Sequence, residues 1–190
     1  ERQGMEFNFR VVNPNELDVP REIDDPGTKA ITHLKFQPKA VASIYMKNGE
    51  HGADSAMNYQ AVAHEMVHSV TMLLTAYGRN PEQYGKTQIG KATAALDDIL
   101  RAVQDHLQAR QSSGKMLNDF EQRLIERDNN ALYDIDELLA WTLTNPEMQR
   151  YLNSIEYKPK QSVFSRLVQA IRTVLGMEPR YDSALAEVLR

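Results

Sequence analysis

Ala63-His64-Glu65-Met66-Val67-His68-Ser69 is the stretch on which the reading of this chain turns. It places H-E-x-x-H inside a segment, 57–77, that reads as helical. Residues four apart stand one above the other on the same face of an α-helix. Two imidazoles placed in this way bind one zinc ion at roughly 2.0–2.1 Å, with the intervening Glu beside a water on the metal. Zinc lowers the pKa of such a water from about 15.7 toward roughly 7 and polarises a substrate carbonyl. Glu65 is then the general base that takes the proton and the acid that returns it.

The residues around the motif allow a test of this reading. Val62, Met66, Val70, Leu73 and Tyr77 recur at i, i+4, i+8, i+11 and i+15, which is one stripe at about 100° per residue. His64 and His68 project from the opposite side with Gln60, Ala61, Thr71 and Thr75. Glu65 lies between the faces. Core histidines would more naturally sit within the apolar stripe, so the pattern predicts a core-facing stripe and a ligand face turned away from it.

With 190 residues and 42% hydrophobic side chains, the chain is long enough to bury one ordinary core. A formal charge of −4 argues against general affinity for nucleic acid or anionic lipid. No apolar run approaches the ~18 residues of a membrane span, and no signal peptide is evident. The chain opens with Glu1 rather than Met, which reads as a piece excised from a longer polypeptide. Cysteine is absent, which removes disulfides, zinc ribbons and thiol nucleophiles. Any metal must be held by carboxylates and the histidines His33, His51, His64, His68 and His106, and such a ligand set suits zinc.

Turn signals at Asn13-Pro14-Asn15, Pro20 and Asp24-Asp25-Pro26-Gly27 make residues 1–30 an extended arm with a short strand at Phe7–Val12. Ala30–Phe36 and Val41–Lys47 alternate or are β-rich, so a small sheet is expected over 31–50, with Asn48-Gly49 as a turn. Everything after Ala56 reads as helical. Gly78 stops the motif helix, and Asn80-Pro81-Glu82 restarts the chain. Helices follow at about Thr87–Arg110, Leu117–Asp128 and 134–144, with Asn145-Pro146-Glu147 capping the next. The last is an amphipathic helix within 162–176, with Val163, Leu167, Val168, Ile171 and Val174 on one side and Gly176 as its stop.

A catalytic zinc needs a third protein ligand and an open fourth position. The metzincin extension of Gly and His at the third and sixth positions after the motif is absent, because Thr71 and Leu74 stand there. A carboxylate on a later helix, or His106, remains. Asp134-Ile-Asp-Glu137-Leu-Leu-Ala140-Trp141-Thr-Leu-Thr-Asn145-Pro146 resembles the E-x-x-A helix of gluzincins such as anthrax lethal factor. That resemblance implies Glu137 as the third ligand.

A closer resemblance covers much of the second half. Glu137-Leu-Leu-Ala140, Thr144-Asn145-Pro146-Glu147-Met148-Gln149, the run from Phe164 to Gly176 and Asp182-Ser-Ala-Leu185 are similar to zincin domains of large polyvalent proteins of phages and mobile elements. It implies membership of a larger polypeptide, carriage in a virion and delivery into a host cytoplasm.

Several residues carry a second reading. Asp134-x-x-Glu137 is also a capping-box spacing, so Glu137 could serve its own helix start. Where lethal factor has a second Glu four residues after its ligand, this chain has Trp141, which cannot accept a hydrogen bond from a ligand imidazole. Where many gluzincins carry an oxyanion-stabilising Tyr, this chain has Asn130, and the nearest tyrosine is Tyr133. Either side chain could donate to a tetrahedral intermediate, and Tyr133 could instead pack at the helix edge. His106 reads as solvated, His33 and His51 as strand or turn residues, and Lys158, Lys160, Arg166 and Arg172 as a solvated face.

The fold expected is α+β and mainly α, a single zincin-like domain with a small N-terminal sheet, the H-E-x-x-H helix and a helical C-terminal part. The function expected is zinc-dependent hydrolysis of an extended peptide or protein. His64, His68 and Glu137 hold the metal, Glu65 is the base, and Val41–Lys47 is an edge strand on which substrate pairs. The competing reading is a zincin fold kept as a weakly active or inactive binding module of a larger protein.

Overall fold

The computed structural model describes residues 6–13, 15–24, 28–35, 41–48, 59–80, 82, 85–126 and 129–174. The architecture is α+β and mainly helical, with a small N-terminal sheet. Its contacts divide it into two units, Glu1–Leu73 with Leu139–Asn145, and Leu74–Leu138 with Pro146–Arg190. The motif helix α1 (Tyr59–Gly78) and helix α4 (Ile135–Thr144) each contribute residues to both.

The first unit holds a three-stranded sheet of β1 (Glu6–Val12), β2 (Ala30–Lys35) and β3 (Val41–Lys47), in the order β1-β3-β2. β1 runs parallel to β3, and β2 antiparallel to it. Side chains alternate across a strand, so Ala42, Ile44 and Met46 are buried on one face of β3. Ile44 and Met46 pack with Ala30 of β2 and with Ala61 and Val62 of α1.

One expectation is corrected here. Val41–Lys47 is the central strand and not an edge, because both its rows of backbone groups are taken, by β1 and by β2. The short strand expected at Phe7–Val12 is present as β1. β1 is a full member of the sheet, and a single 3-10 turn at Arg21–Asp24 buries Ile23 completely, as Val12 is buried. His51, Gly49 and the 182–185 segment lie outside the described residues.

The stripe expected to face the core along α1 is also corrected. Met66 is 59% and Val70 40% exposed, whereas Glu65, His68, Ser69, Thr71 and Thr75 are buried. Val62 alone of the described stripe packs on the sheet core. Burial of the polar face is tolerable because its hydroxyls are satisfied. Ser69 Oγ donates to Glu65 O at 2.8 Å, Thr71 Oγ1 to Val67 O at 3.0 Å, and Thr75 Oγ1 to Asp136 Oδ1 at 2.7 Å.

The second unit is built on α2 (Gln88–Ser112), whose N-cap Thr87 accepts from Gly90 N. α3 (Asp119–Leu124) starts at an Asn118–Glu121 capping box and is shorter than the helix expected over 117–128. Ile125 and Glu126 already donate to carbonyls three residues back, which tightens and ends it. α5 (Pro146–Ser154) begins with proline at its first turn, where no N–H is needed. α6 (Val163–Val174) packs on α2 and α5, burying Val163, Phe164, Leu167 and Ile171 with Leu96, Ile99, Val103, Met148 and Leu152.

Between α5 and α6 the expectation that everything after Ala56 is helical fails. β4 (Glu156–Lys158) and β5 (Gln161–Ser162) form a small hairpin. Its turn has Pro159 at the second position and Lys160 at φ 66° at the third, as a type II turn requires.

Gly78 is the last residue of α1, but its role is not a left-handed stop. A Cβ there would lie 1.9 Å from Thr93 Oγ1 and 2.7 Å from Thr93 Cβ, so the missing side chain lets α2 pass closely. Thr93 is buried and tied to Ile89 O at 3.0 Å, which limits its escape. Gly78→Ala should therefore destabilise the fold by about 1–3 kcal/mol, the usual cost of overpacking. Denaturant unfolding checks this, and adding Thr93→Ala should recover most of the loss.

Candidate metal centre

His64 and His68 lie on α1 in the first unit, with ring centroids 4.7 Å apart at 77° and Nε2 to Nε2 at 3.1 Å. Two ligands about 2.0–2.1 Å from a tetrahedral ion stand about 3.3 Å apart, so the pair is spaced for a shared ion. A hydrogen bond between two neutral imidazoles has the same length, and the carboxylate of Glu137 is what sets the group apart. One ligand atom from each of His64, His68 and Glu137 lies within 4.8 Å of the others. His68 is buried and the other two are half-buried. Such a group could hold a metal ion. Among the described residues, no other histidine joins it: His33 is exposed and edge-on to Tyr45, and His106 lies beside Tyr151.

The sequence between the histidines places Glu65 on the buried side of α1. Thr32, on β2, donates its hydroxyl to Glu65 Oε2 at 2.7 Å and approaches the Glu65 carbonyl at 3.3 Å. This residue was missed in the sequence. Its only signal was its place in the alternation of β2, opposite His33, which does not distinguish it from Leu34.

Two contacts position α4, one in each unit. In the first, the Trp141 ring stands edge-on to His64, with centroids 6.1 Å apart at 85°. The indole thus stands beside the first imidazole of the motif. In the second, buried Asp136 accepts from Thr75 Oγ1 and pairs with Arg79 at 3.3 Å. This ties the first turn of α4 to the last turns of α1, one residue before Glu137. Asp134 caps that turn, its Oδ1 accepting from Asp136 N at 2.8 Å and Glu137 N at 2.9 Å.

Tyr133 and Asn130 lie in the turn region before α4, and both are exposed, Tyr133 to 82%. Such exposure does not fit packing at the helix edge. Lys158 and Lys160 are exposed, and Arg166 and Arg172 half-buried. No helix among the described residues is long and apolar enough to cross a membrane. Comparison with family models, curated proteins and solved structures returns no match.

Proposed function

We propose that this chain is a gluzincin-type metallopeptidase domain that hydrolyses peptide bonds with one zinc ion held by His64, His68 and Glu137. The observation that carries the reading is the convergence of these three side chains with Glu65 set between the histidines. Two imidazoles and a carboxylate are donors that zinc accepts, and their number leaves a fourth position for water or substrate. A zinc ion there would supply Lewis acidity and a water acidic enough to lose a proton near neutral pH.

The chain's own groups do the rest. The Glu65 carboxylate takes that proton and passes it to the leaving amine. The Thr32 hydroxyl holds Glu65 through Oε2. The substrate platform moves from β3 to β2, an edge strand with one neighbour among the described residues, which offers a row of backbone groups to an extended peptide. Tyr133 or Asn130 is the proposed donor to the oxyanion. Membership of a polyvalent phage protein, with delivery into a host cell, rests on the resemblance of the later segments.

A binding module with a zincin fold is the second reading, and Trp141 beside His64 is the observation that favours it. Zinc binding separates both readings from a chance motif. The chain has one tryptophan, so its emission reports on the site. Titration with zinc should change Trp141 emission saturably at one ion per chain, and cobalt should quench it more strongly. His64→Ala should abolish both responses. A flat titration, with no zinc retained on the purified protein, would sink the metal assignment. Zinc-loaded protein that cleaves nothing in a broad peptide library, yet captures peptides beside β2, would establish the module.

A further inference from the structure

β1 is an edge strand whose only neighbour among the described residues is β3. All six residues from Glu6 to Val11 are exposed, with Phe7 at 53% and Phe9 at 48%. Proteins ordinarily guard such an edge with Pro, Lys, a bulge or a cover. β1 contains neither Pro nor Lys, and its register with β3 runs unbroken from Glu6 to Val12. A row of backbone groups with no strand partner among the described residues, beside half-exposed phenylalanines, is a pairing surface.

The sequence of the strand says what fits it. Glu6-Phe7-Asn8-Phe9-Arg10 is self-complementary when read against itself in the opposite direction. In an antiparallel pair centred on Asn8, Glu6 faces the partner's Arg10 and Arg10 faces the partner's Glu6. Phe7 faces the partner's Phe9, Phe9 the partner's Phe7, and the two Asn8 residues meet on the two-fold axis. Opposite charges and aromatic pairs directly across strands both stabilise a sheet. Shifting the centre to Phe9 sets Arg10 against Asn8 and Glu6 against Val12, so both charges lose their partners. Only the Asn8 register satisfies the charges and the rings together.

We propose that β1 pairs with β1 of a second copy of this chain, giving an isologous dimer centred on Asn8 with one continuous six-stranded sheet. Arg10 lies 3.5 Å from Glu16 and over the Tyr45 ring at 5.8 Å. Those contacts hold its side chain on the face where Glu6 of the second copy arrives. Pairing covers the β1 edge of both copies at once and leaves the β2 edge of each for another partner.

Charge swaps test the register. Sedimentation of wild-type protein over a concentration series should show a reversible monomer–dimer equilibrium. Glu6→Arg and Arg10→Glu should each weaken it by about tenfold or more, because both symmetry-related pairs become like-charged. An equimolar mixture of the two variants should associate again as a heterodimer, which also shows that both are folded. The double variant E6R/R10E should regain the homodimer.

Asn8→Cys, in a chain otherwise without cysteine, should form a disulfide-linked dimer on mild oxidation. Directly opposed residues lie roughly 4.5–5.5 Å apart, within disulfide reach. Leu17→Cys, on an exposed residue outside the sheet, is the control and should cross-link far more slowly. Wild-type protein that stays monomeric at every concentration overturns the proposal and leaves the edge to a different polypeptide. Dimerisation indifferent to all the charge swaps, or equal cross-linking at positions 8 and 17, overturns it as well.

Discussion

Glu65→Gln should keep zinc and lose peptide hydrolysis by about 10²–10⁴-fold, the range a positioned general base contributes. The substitution keeps the shape of the side chain. It also keeps an oxygen acceptor for the Thr32 hydroxyl, now 2.7 Å from Oε2. What it removes is basicity, so zinc content and thermal stability should stay near wild type. Turnover by purified protein on a peptide library, read by mass spectrometry with zinc measured on the same samples, checks this. Cleavage by the Glu65→Gln protein as fast as by wild type would remove Glu65 from the chemistry.

The second large effect is expected on the metal. Glu137→Ala should weaken zinc binding by more than the 10–100-fold that loss of an outer-shell partner costs. The variant also decides between the two readings of Glu137. The N–H groups of Asp136 and Glu137 are already satisfied by Asp134. Loss of the Glu137 carboxylate should therefore leave the start of α4 intact and cost little stability without metal. Were Glu137 chiefly a cap, the result would invert, with a stability loss of about 0.5–2 kcal/mol and unchanged zinc affinity. Competition titration against a chelating dye, paired with urea unfolding of the stripped protein, measures both quantities.

Local signals were legible in the sequence. β3 runs over Val41–Lys47 as its β-rich pattern indicates, α2 starts after Thr87, and Pro146 opens α5. The H-E-x-x-H spacing and the Glu137 helix led to three side chains that do come together.

The order of strands was not legible. Alternation tells which face of a strand is buried, but not whether one neighbour or two will take its edges. The burial of α1 runs opposite to its apolar periodicity for a related reason. Hydrophobic periodicity assumes that apolar groups win the interior. Here Ser69, Thr71 and Thr75 enter it with their hydroxyls bonded, bringing Glu65 and His68 along. The hairpin at 156–162 was hidden because its strands are only three and two residues long, too short for a period to show.

Thr32 makes the two oxygens of one carboxylate inequivalent. In free glutamate they exchange by rotation, and a proton has no preferred seat. With the hydroxyl donating to Oε2, one lone-pair site of that oxygen is occupied and its basicity lowered, which favours uptake of a proton at Oε1. In the proposed reaction the proton is therefore taken up and handed on from one side of the side chain. The strand that would seat a substrate backbone also supplies this bond, so the direction of proton delivery and the direction of the bound peptide are set by the same six residues.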